Sequence, residues 1–98
     1  METLVDINEI ALRHYRWVER MDWHNKTVLE CLALIASEVG EAVNECRQDA
    51  PSAGFAEELA DIILRTADLA HSQGIDLSCE VEKKMARNEE RGTRGRIV

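Results

Sequence analysis

The chain has few of the residues that shape turns and β-structure. Its 98 residues include one proline, five glycines and only two Trp, one Tyr and one Phe. This scarcity argues against a β-sandwich and favours helices joined by few turns. The length limits the chain to one domain. We therefore predict an all-α protein with a single domain over residues 1–92 and a loosely ordered tail over residues 93–98.

Cysteines and long apolar runs are also scarce. The three cysteines are odd in number and widely spaced, so they form neither a zinc pattern nor a disulfide framework. No apolar run reaches the ~20 residues of a membrane span, and the first residues lack the basic and apolar regions of a signal peptide. These features predict a cytoplasmic protein with reduced cysteines and no membrane partner.

Basic residues are outnumbered by acidic ones. Twelve Lys and Arg stand against 19 Asp and Glu, which gives a net charge of −7. Because the phosphate backbone of a nucleic acid rewards a basic surface, we expect no DNA or RNA polymer as partner. A free nucleotide stays open as a binding partner, since a bound metal ion reverses the local charge of an acidic site.

Apolar residues recur at helical spacing in four segments. The expected helices cover about residues 4–21, 26–47, 54–73 and 77–91. The candidate caps are Thr3, Asn25, Ser52 and Asp76 at their starts, and Gly74 at the end of the third. The second and third helices are unusually apolar for so small a protein. One protomer cannot bury both apolar arcs, so we expect a second copy to pair with the first in an intersubunit helical bundle.

Four acids form two pairs with i,i+3 spacing, Glu38-Val-Gly-Glu41 and Glu58-Leu-Ala-Asp61. Each pair lies on one side of a helix. The 16 residues between the pairs allow the chain to turn and bring all four carboxylates to a common point. Two unit charges ~4 Å apart repel by roughly 4 kcal/mol at an effective dielectric constant of about 20. The crowding therefore predicts a hard divalent cation with oxygen ligands.

A solvated charged face is the alternative interpretation of these acids. Glu38 interrupts an apolar stripe, where an unpaired charge is costly, and this favours the metal site. A di-iron bundle needs Glu-x-x-His motifs, and neither acidic pair ends in His. Mg²⁺ or Mn²⁺ thus fits better than iron. Two further residues stay open as members of the site. Glu45 lies one turn after the first acidic pair, and Arg65 lies one turn after the second.

The fourth helix has a face that begins apolar and ends cationic. Its residues at helical spacing are Leu77, Val81, Lys84, Asn88 and Arg91. Lys and Arg both bind phosphate, and Arg can do so with two parallel hydrogen bonds. Alone, these cations would simply complement the helix dipole. Beside a metal-binding acidic cluster, they favour a phosphate site.

Together these motifs resemble the MazG-like family of all-α nucleoside triphosphate pyrophosphohydrolases. That family has an acidic pair, a spacer, a second acidic pair and a later Lys-x-x-x-Asn-x-x-Arg. This chain has Glu38-Val-Gly-Glu41, Glu58-Leu-Ala-Asp61 and Lys84-Met-Ala-Arg-Asn88-Glu-Glu-Arg91. The resemblance covers about residues 23–92, and the chain is similar to the small, single-module, integron-associated members.

The resemblance implies hydrolysis of (deoxy)nucleoside triphosphates between the α- and β-phosphates, as in house-cleaning of the nucleotide pool. It implies a four-helix protomer and a homodimer or dimer of dimers. Mg²⁺, with Mn²⁺ as the alternative, would be held by Glu38, Glu41, Glu58 and Asp61. The catalytic residues would be Glu38 and Glu41, and one of these glutamates, or the metal itself, would activate the attacking water. The implied phosphate ligands are Lys84, Asn88 and Arg91.

The chain departs from some of these relatives at Arg65. Relatives that act on deoxycytidine triphosphate have Tyr at this position. Arg65 would contact phosphate or neutralise Asp61 or Asp68.

Base recognition depends on residues near the start of the chain. The candidates are Trp23, His14 and Trp17, with His24 and Asn25 beside them. Trp can stack on a base, and His can hydrogen-bond to its edge. Trp23 lies in a loop and is favoured as a wall of the base site, whereas packing is the alternative role for His14 and Trp17. Two further classes of function stay open: a non-catalytic helical interaction protein, and a nucleotide sensor without turnover.

Overall fold

The computed structural model describes residues 6–47 and 51–92, and this part of the chain contains four helices and no strand. The helices are α1 (Ile7–Arg20), α2 (Val28–Asn44), α3 (Phe55–Ser72) and α4 (Leu77–Arg91). The prediction of an all-α fold is confirmed over these ranges. The predicted tail, residues 93–98, lies outside them. None of the four helices is long and apolar enough to cross a bilayer.

α1 begins later than predicted because Asp6 caps it. The Asp6 carboxylate accepts a hydrogen bond from the Glu9 N–H at 2.8 Å and so satisfies a free donor of the first turn. The prediction of Thr3 as the cap is wrong: the helix starts at Ile7, and Thr3 itself lies outside the described residues.

The start of α2 is set by a capping box, not by Asn25 as predicted. The Thr27 hydroxyl accepts from the Glu30 N–H at 3.1 Å, and the Glu30 carboxylate accepts from the Thr27 N–H at 2.9 Å. This reciprocal pair satisfies two backbone donors, which a lone Asn25 cap does not. The hydrogen bond from the Thr27 backbone also lowers the pKa of Glu30.

α3 starts at Phe55 without a side-chain cap, so the prediction of Ser52 as its cap is wrong. The Ser52 hydroxyl instead donates to the Glu45 carboxylate across the connection from α2. The predicted end is confirmed. Gly74 follows the helix with a φ of +70°, and its N–H donates to the His71 carbonyl at 3.1 Å. Glycine is the residue that adopts this left-handed conformation without strain.

α4 spans the predicted residues, and Asp76 caps it by accepting from the Cys79 N–H at 3.0 Å. The same carboxylate accepts from the Asn8 amide at 2.7 Å, and Asn8 accepts in turn from the Ser78 N–H at 3.1 Å. These bonds join the start of α4 to the first turn of α1. The pKa of Asp76 is lowered most by the hydrogen bond from Asn8, and next by the hydrogen bond from the Cys79 N–H.

α3 is the central helix: it packs against α1, α2 and α4, whereas α2 contacts only α3 among the four helices. The most buried apolar residues are small or medium in size, namely Ala11, Val18, Ala42, Ala67 and Ala70. Alanine at a helix contact lets two backbones approach closely. The core therefore consists of close helix contacts and holds few large side chains.

Large apolar side chains remain exposed on the two most apolar helices. The α2–α3 apolar surface consists of Val28, Leu29, Leu32, Val39, Val43, Leu59 and Ile63. Leu29, for example, is 76 % exposed. Five of these seven residues lie on α2, which contacts no helix other than α3 in the described part of the chain.

Loss of the capping box is expected to destabilise the fold. Thr27→Ala removes an acceptor for the Glu30 N–H, and we expect the free energy of unfolding to fall by about 1 kcal/mol. Urea denaturation followed by circular dichroism measures this change. Asn25→Ala is the matched control and should stay within about 0.5 kcal/mol of the wild type. A larger loss in Asn25→Ala than in Thr27→Ala would contradict the assignment of the cap.

Candidate metal centre

Carboxylates from α2 and α3 converge at the contact between these helices. Glu38, Glu58 and Asp61 each offer an oxygen atom, and the three atoms lie within 4.8 Å of one another. We call these three residues the acidic centre. The i,i+3 spacing on α3 places two of them on one side of that helix, and the packing of α2 against α3 supplies the third.

Glu38 is the buried charged residue of the described chain, with only 9 % of its surface exposed. Its Oε1 accepts a hydrogen bond from Arg65 Nε at 2.9 Å, whereas its Oε2 is buried and has no hydrogen-bond partner in the described part of the chain. Burial raises the pKa of Glu38, but the hydrogen bond and charge of Arg65, together with the influence of the neighbouring Glu41 and Glu58 side chains, outweigh it and lower the pKa overall. Glu38 is therefore held as a buried anion with one unsatisfied oxygen.

Glu58 is the second member with an unsatisfied oxygen. Its Oε2 is also buried without a partner among residues 6–47 and 51–92. Burial, together with the hydrogen bond and charge of Glu38, raises the pKa of Glu58 to about 7. Two buried, unpaired carboxylate oxygens in one cluster are costly. They form the donor set that Mg²⁺ and Mn²⁺ prefer, so these residues fit a hard dication.

Glu41, the fourth predicted ligand, lies at the exposed edge of this centre. A hydrogen bond with Glu38 and the charge of that carboxylate raise the pKa of Glu41. The structure therefore groups three of the four predicted ligands closely and places the fourth beside them. Their role as metal ligands stays a prediction.

Glu45 has a structural role in the turn. Its carboxylate accepts the Ser52 hydroxyl, and its backbone carbonyl accepts the Ser52 N–H at 2.8 Å. A Cβ atom at Gly54 would lie 2.8 Å from Glu45 Oε1, so glycine leaves room for this carboxylate. Glu45 is thus engaged in the connection between α2 and α3 and does not belong to the acidic centre.

A cavity of about 590 Å³ adjoins the acidic centre, and Asp61 and Arg65 form part of its wall. The three predicted base-binding residues, Trp23, His14 and Trp17, also line it. The two Trp rings meet edge to face with centroids 5.0 Å apart, and His14 stacks on Trp17 at 5.7 Å. The structure thus brings these side chains together next to the acids. Asn25 does not line the cavity.

His24 ties the cavity wall to α3, a role that the sequence did not indicate. Its Nε2 lies 2.9 Å from Asp68 Oδ1, and its Nδ1 contacts the Glu19 carboxylate. The ring also stacks on Tyr15 with centroids 4.2 Å apart. Burial lowers the pKa of His24, but hydrogen bonds with Asp68 and Glu19 outweigh it and raise the pKa overall. His24 thereby fixes the loop that carries Trp23.

The predicted phosphate ligands on α4 stand apart from this cavity. Lys84 is exposed, whereas Asn88 and Arg91 are half-buried, and Arg91 Nη2 donates to Asn88 Oδ1 at 3.3 Å. None of the three lines the cavity of the described protomer. Their phosphate-binding role therefore stays a prediction from the motif.

Comparisons of the chain with protein-family models, with curated proteins and with solved structures find no match. The resemblance to the MazG-like family accordingly rests on the sequence motifs.

The His24 ion pairs are expected to make stability depend on pH. Because the folded state raises the His24 pKa above its ordinary value of 6.5, these pairs stabilise the fold fully below that value. Their contribution declines as the pH rises through the folded-state pKa. The loss of unfolding free energy in His24→Gln should therefore be larger at pH 6 than at pH 9. Urea denaturation at both pH values measures it, and an equal or larger loss at pH 9 would contradict the assignment.

Proposed function

We propose that the protein is a Mg²⁺-dependent nucleoside triphosphate pyrophosphohydrolase that releases pyrophosphate and a nucleoside monophosphate. The observation that carries this proposal is the buried Glu38 carboxylate, which faces Glu58 and Asp61 and keeps one oxygen unpaired. A solvated charged face would not bury such an oxygen. A hard dication satisfies it, and the motifs of the sequence favour a phosphate-containing substrate.

Glu38, Glu58 and Asp61 would hold the metal ion, whose chemistry would be to activate a water molecule and to neutralise charge on the phosphates. In the reaction, the oxygen of a water molecule bonds to the α-phosphorus. The bond from that phosphorus to the oxygen bridging the α- and β-phosphates breaks, and the bridging oxygen leaves with pyrophosphate. Glu41 is suited to accept the proton of the water, since it lies at the open edge of the centre and the Glu38 carboxylate raises its pKa.

The adjoining cavity would receive the nucleoside. Its volume of about 590 Å³ is within the range of small-molecule sites. Trp17 and Trp23 offer aromatic faces to a base, and His14 offers a ring nitrogen to its edge. Because Asp61 is part of the cavity wall, a nucleoside there would have its phosphates near the acidic centre. The sequence motif favours Lys84, Asn88 and Arg91 as further phosphate ligands, although none of them lines the cavity of the described protomer.

We also propose that two copies pair through the α2–α3 apolar surface, with a dimer of dimers as the larger assembly. α2 packs on one side only, against α3, and exposes its remaining apolar residues. A second copy would bury them and enlarge a core that is otherwise built mainly of alanine.

A non-catalytic interaction protein is the second candidate function, and the α2–α3 apolar surface favours it. That function explains the exposed apolar residues but leaves the unpaired oxygens of Glu38 and Glu58 unexplained. A nucleotide sensor would share the metal and nucleotide sites without turnover. A panel of nucleoside triphosphates incubated with Mg²⁺ separates these functions: the enzyme releases pyrophosphate, the sensor binds without products, and the interaction protein does neither.

Neutralising Glu38 is expected to abolish most turnover. Glu38→Gln removes the buried charge of the acidic centre, and we expect the rate of pyrophosphate release to fall at least ~100-fold, as on loss of a group that stabilises the transition state. Glu45→Gln is the matched control, because it makes the same change of charge on α2 in a residue engaged in the turn. That variant should keep a rate close to wild type. Equal rates in wild type and Glu38→Gln would remove Glu38 from the active site.

A charge on the α2–α3 apolar surface is expected to separate the copies. Leu32 is 50 % exposed in one protomer, and Leu32→Glu would bury an unpaired carboxylate in the proposed interface. Light scattering after gel filtration should then give the monomer mass of 11.1 kDa, against a multiple of it for wild type. Met85→Glu, at a similarly exposed apolar site on α4, is the control and should keep the wild-type mass. A monomeric wild type, or an assembly unaffected by Leu32→Glu, would contradict the proposed interface.

A further inference from the structure

Arg65 is the one cation that contacts the acidic centre in the described chain. It follows Asp61 by one turn of α3, and its Nε donates to Glu38 Oε1 at 2.9 Å. Among the carboxylates of residues 6–47 and 51–92, only that of Glu38 lies within ion-pair distance of it. The sequence left phosphate, Asp61 or Asp68 open as its partners, and among the described carboxylates its partner is Glu38, neither Asp61 nor Asp68.

The guanidinium of Arg65 is charged, and the side chain is only partly buried. A guanidinium stays protonated at any physiological pH. Yet 42 % of the Arg65 side chain is exposed, and the side chain lines the adjoining cavity as well as contacting Glu38. Its Nη groups donate no hydrogen bond to the described residues. Arg65 is therefore held by a single partner and has open space beside it.

Arg65 balances only part of the charge at this point. One positive charge pairs with Glu38, while Glu58 Oε2 and Glu38 Oε2 stay buried and unpaired. A divalent cation among the same oxygens would supply twice the charge and would also repel the guanidinium. A guanidinium at Glu38 Oε1 and a divalent cation at Oε2 would repel each other across one carboxylate, so each would weaken the binding of the other.

We infer that Arg65 is the resident counter-ion of the acidic centre: it pairs with Glu38 in the metal-free protein, competes with the divalent cation for that carboxylate, and turns toward the cavity when the cation binds. This inference rests on the metal site of the proposed function and describes its regulation. Arg65 stabilises the buried Glu38 anion before loading and weakens metal binding. Once displaced, it adds a positive charge to the wall of the nucleotide cavity.

The inference is tested by titrating Mn²⁺ into the protein in a calorimeter at pH 8 without nucleotide. Arg65→Gln removes the competitor, and the Kd for Mn²⁺ should fall about fivefold, the scale of one partly exposed ion pair. Arg65→Lys retains the charge and should stay closer to wild type. Arg87→Gln is the matched control: it removes one positive charge from an exposed position on α4 and should leave the Kd unchanged.

A second measurement uses the unaltered protein and does not depend on how a variant folds. The Nε–H resonance of Arg65 should shift on saturation with Mg²⁺, and its proton should exchange faster with water, because the hydrogen bond to Glu38 is lost. Three results would overturn the inference and leave the proposed function standing. They are a Kd for Mn²⁺ that is unchanged or higher in Arg65→Gln, a Kd that falls equally in Arg87→Gln, and an Arg65 Nε–H resonance that does not shift with Mg²⁺. A wild-type protein that binds neither metal overturns both.

Discussion

The burial of Glu38 against α3 is the constraint on which the rest of the structure depends. A carboxylate with 9 % of its surface exposed must be charge-balanced, and Arg65 meets that need for only one of its oxygens. Ala42, one turn after Glu38 on α2, is also buried, and the bonds between Glu45 and Ser52 secure the connection of the two helices. The acidic centre is thus a product of how α2 meets α3, and its unpaired oxygens are what a divalent cation would satisfy.

Two further features of the protomer lie beside the α2–α3 contact, and each offers a place for a binding partner. One is the α2–α3 apolar surface, which is exposed because α2 has a single helical neighbour. The other is the cavity between the aromatic residues of α1 and the acidic edge of α3, and His24, paired with Asp68 and Glu19, forms part of its wall. A catalytic protein that binds a nucleotide and pairs with itself accounts for both, whereas an interaction protein accounts only for the first.

The sequence predicted the features that depend on local periodicity. The i,i+3 acidic pairs, the end of α3 at Gly74 and the full extent of α4 follow from spacing and from the special backbone of glycine. Caps were less predictable, since Thr3, Asn25 and Ser52 are all suitable residue types. The structure uses Asp6 and Thr27 for α1 and α2: the Asp6 carboxylate accepts from the Glu9 N–H, and Thr27 forms a reciprocal pair with Glu30. The pairing of His24 with Asp68 joins residues 44 positions apart, and no local pattern marks it.

Diffraction from crystals soaked in Mn²⁺ tests the central claim most directly. The anomalous signal of manganese locates the ion without reference to any activity. The account predicts a peak at the contact of α2 and α3, with oxygens of Glu38, Glu58 and Asp61 at ~2.1 Å from the ion and Arg65 no longer bonded to Glu38. Crystals that show no peak at this point, with Glu38 still paired to Arg65 at saturating Mn²⁺, would contradict it.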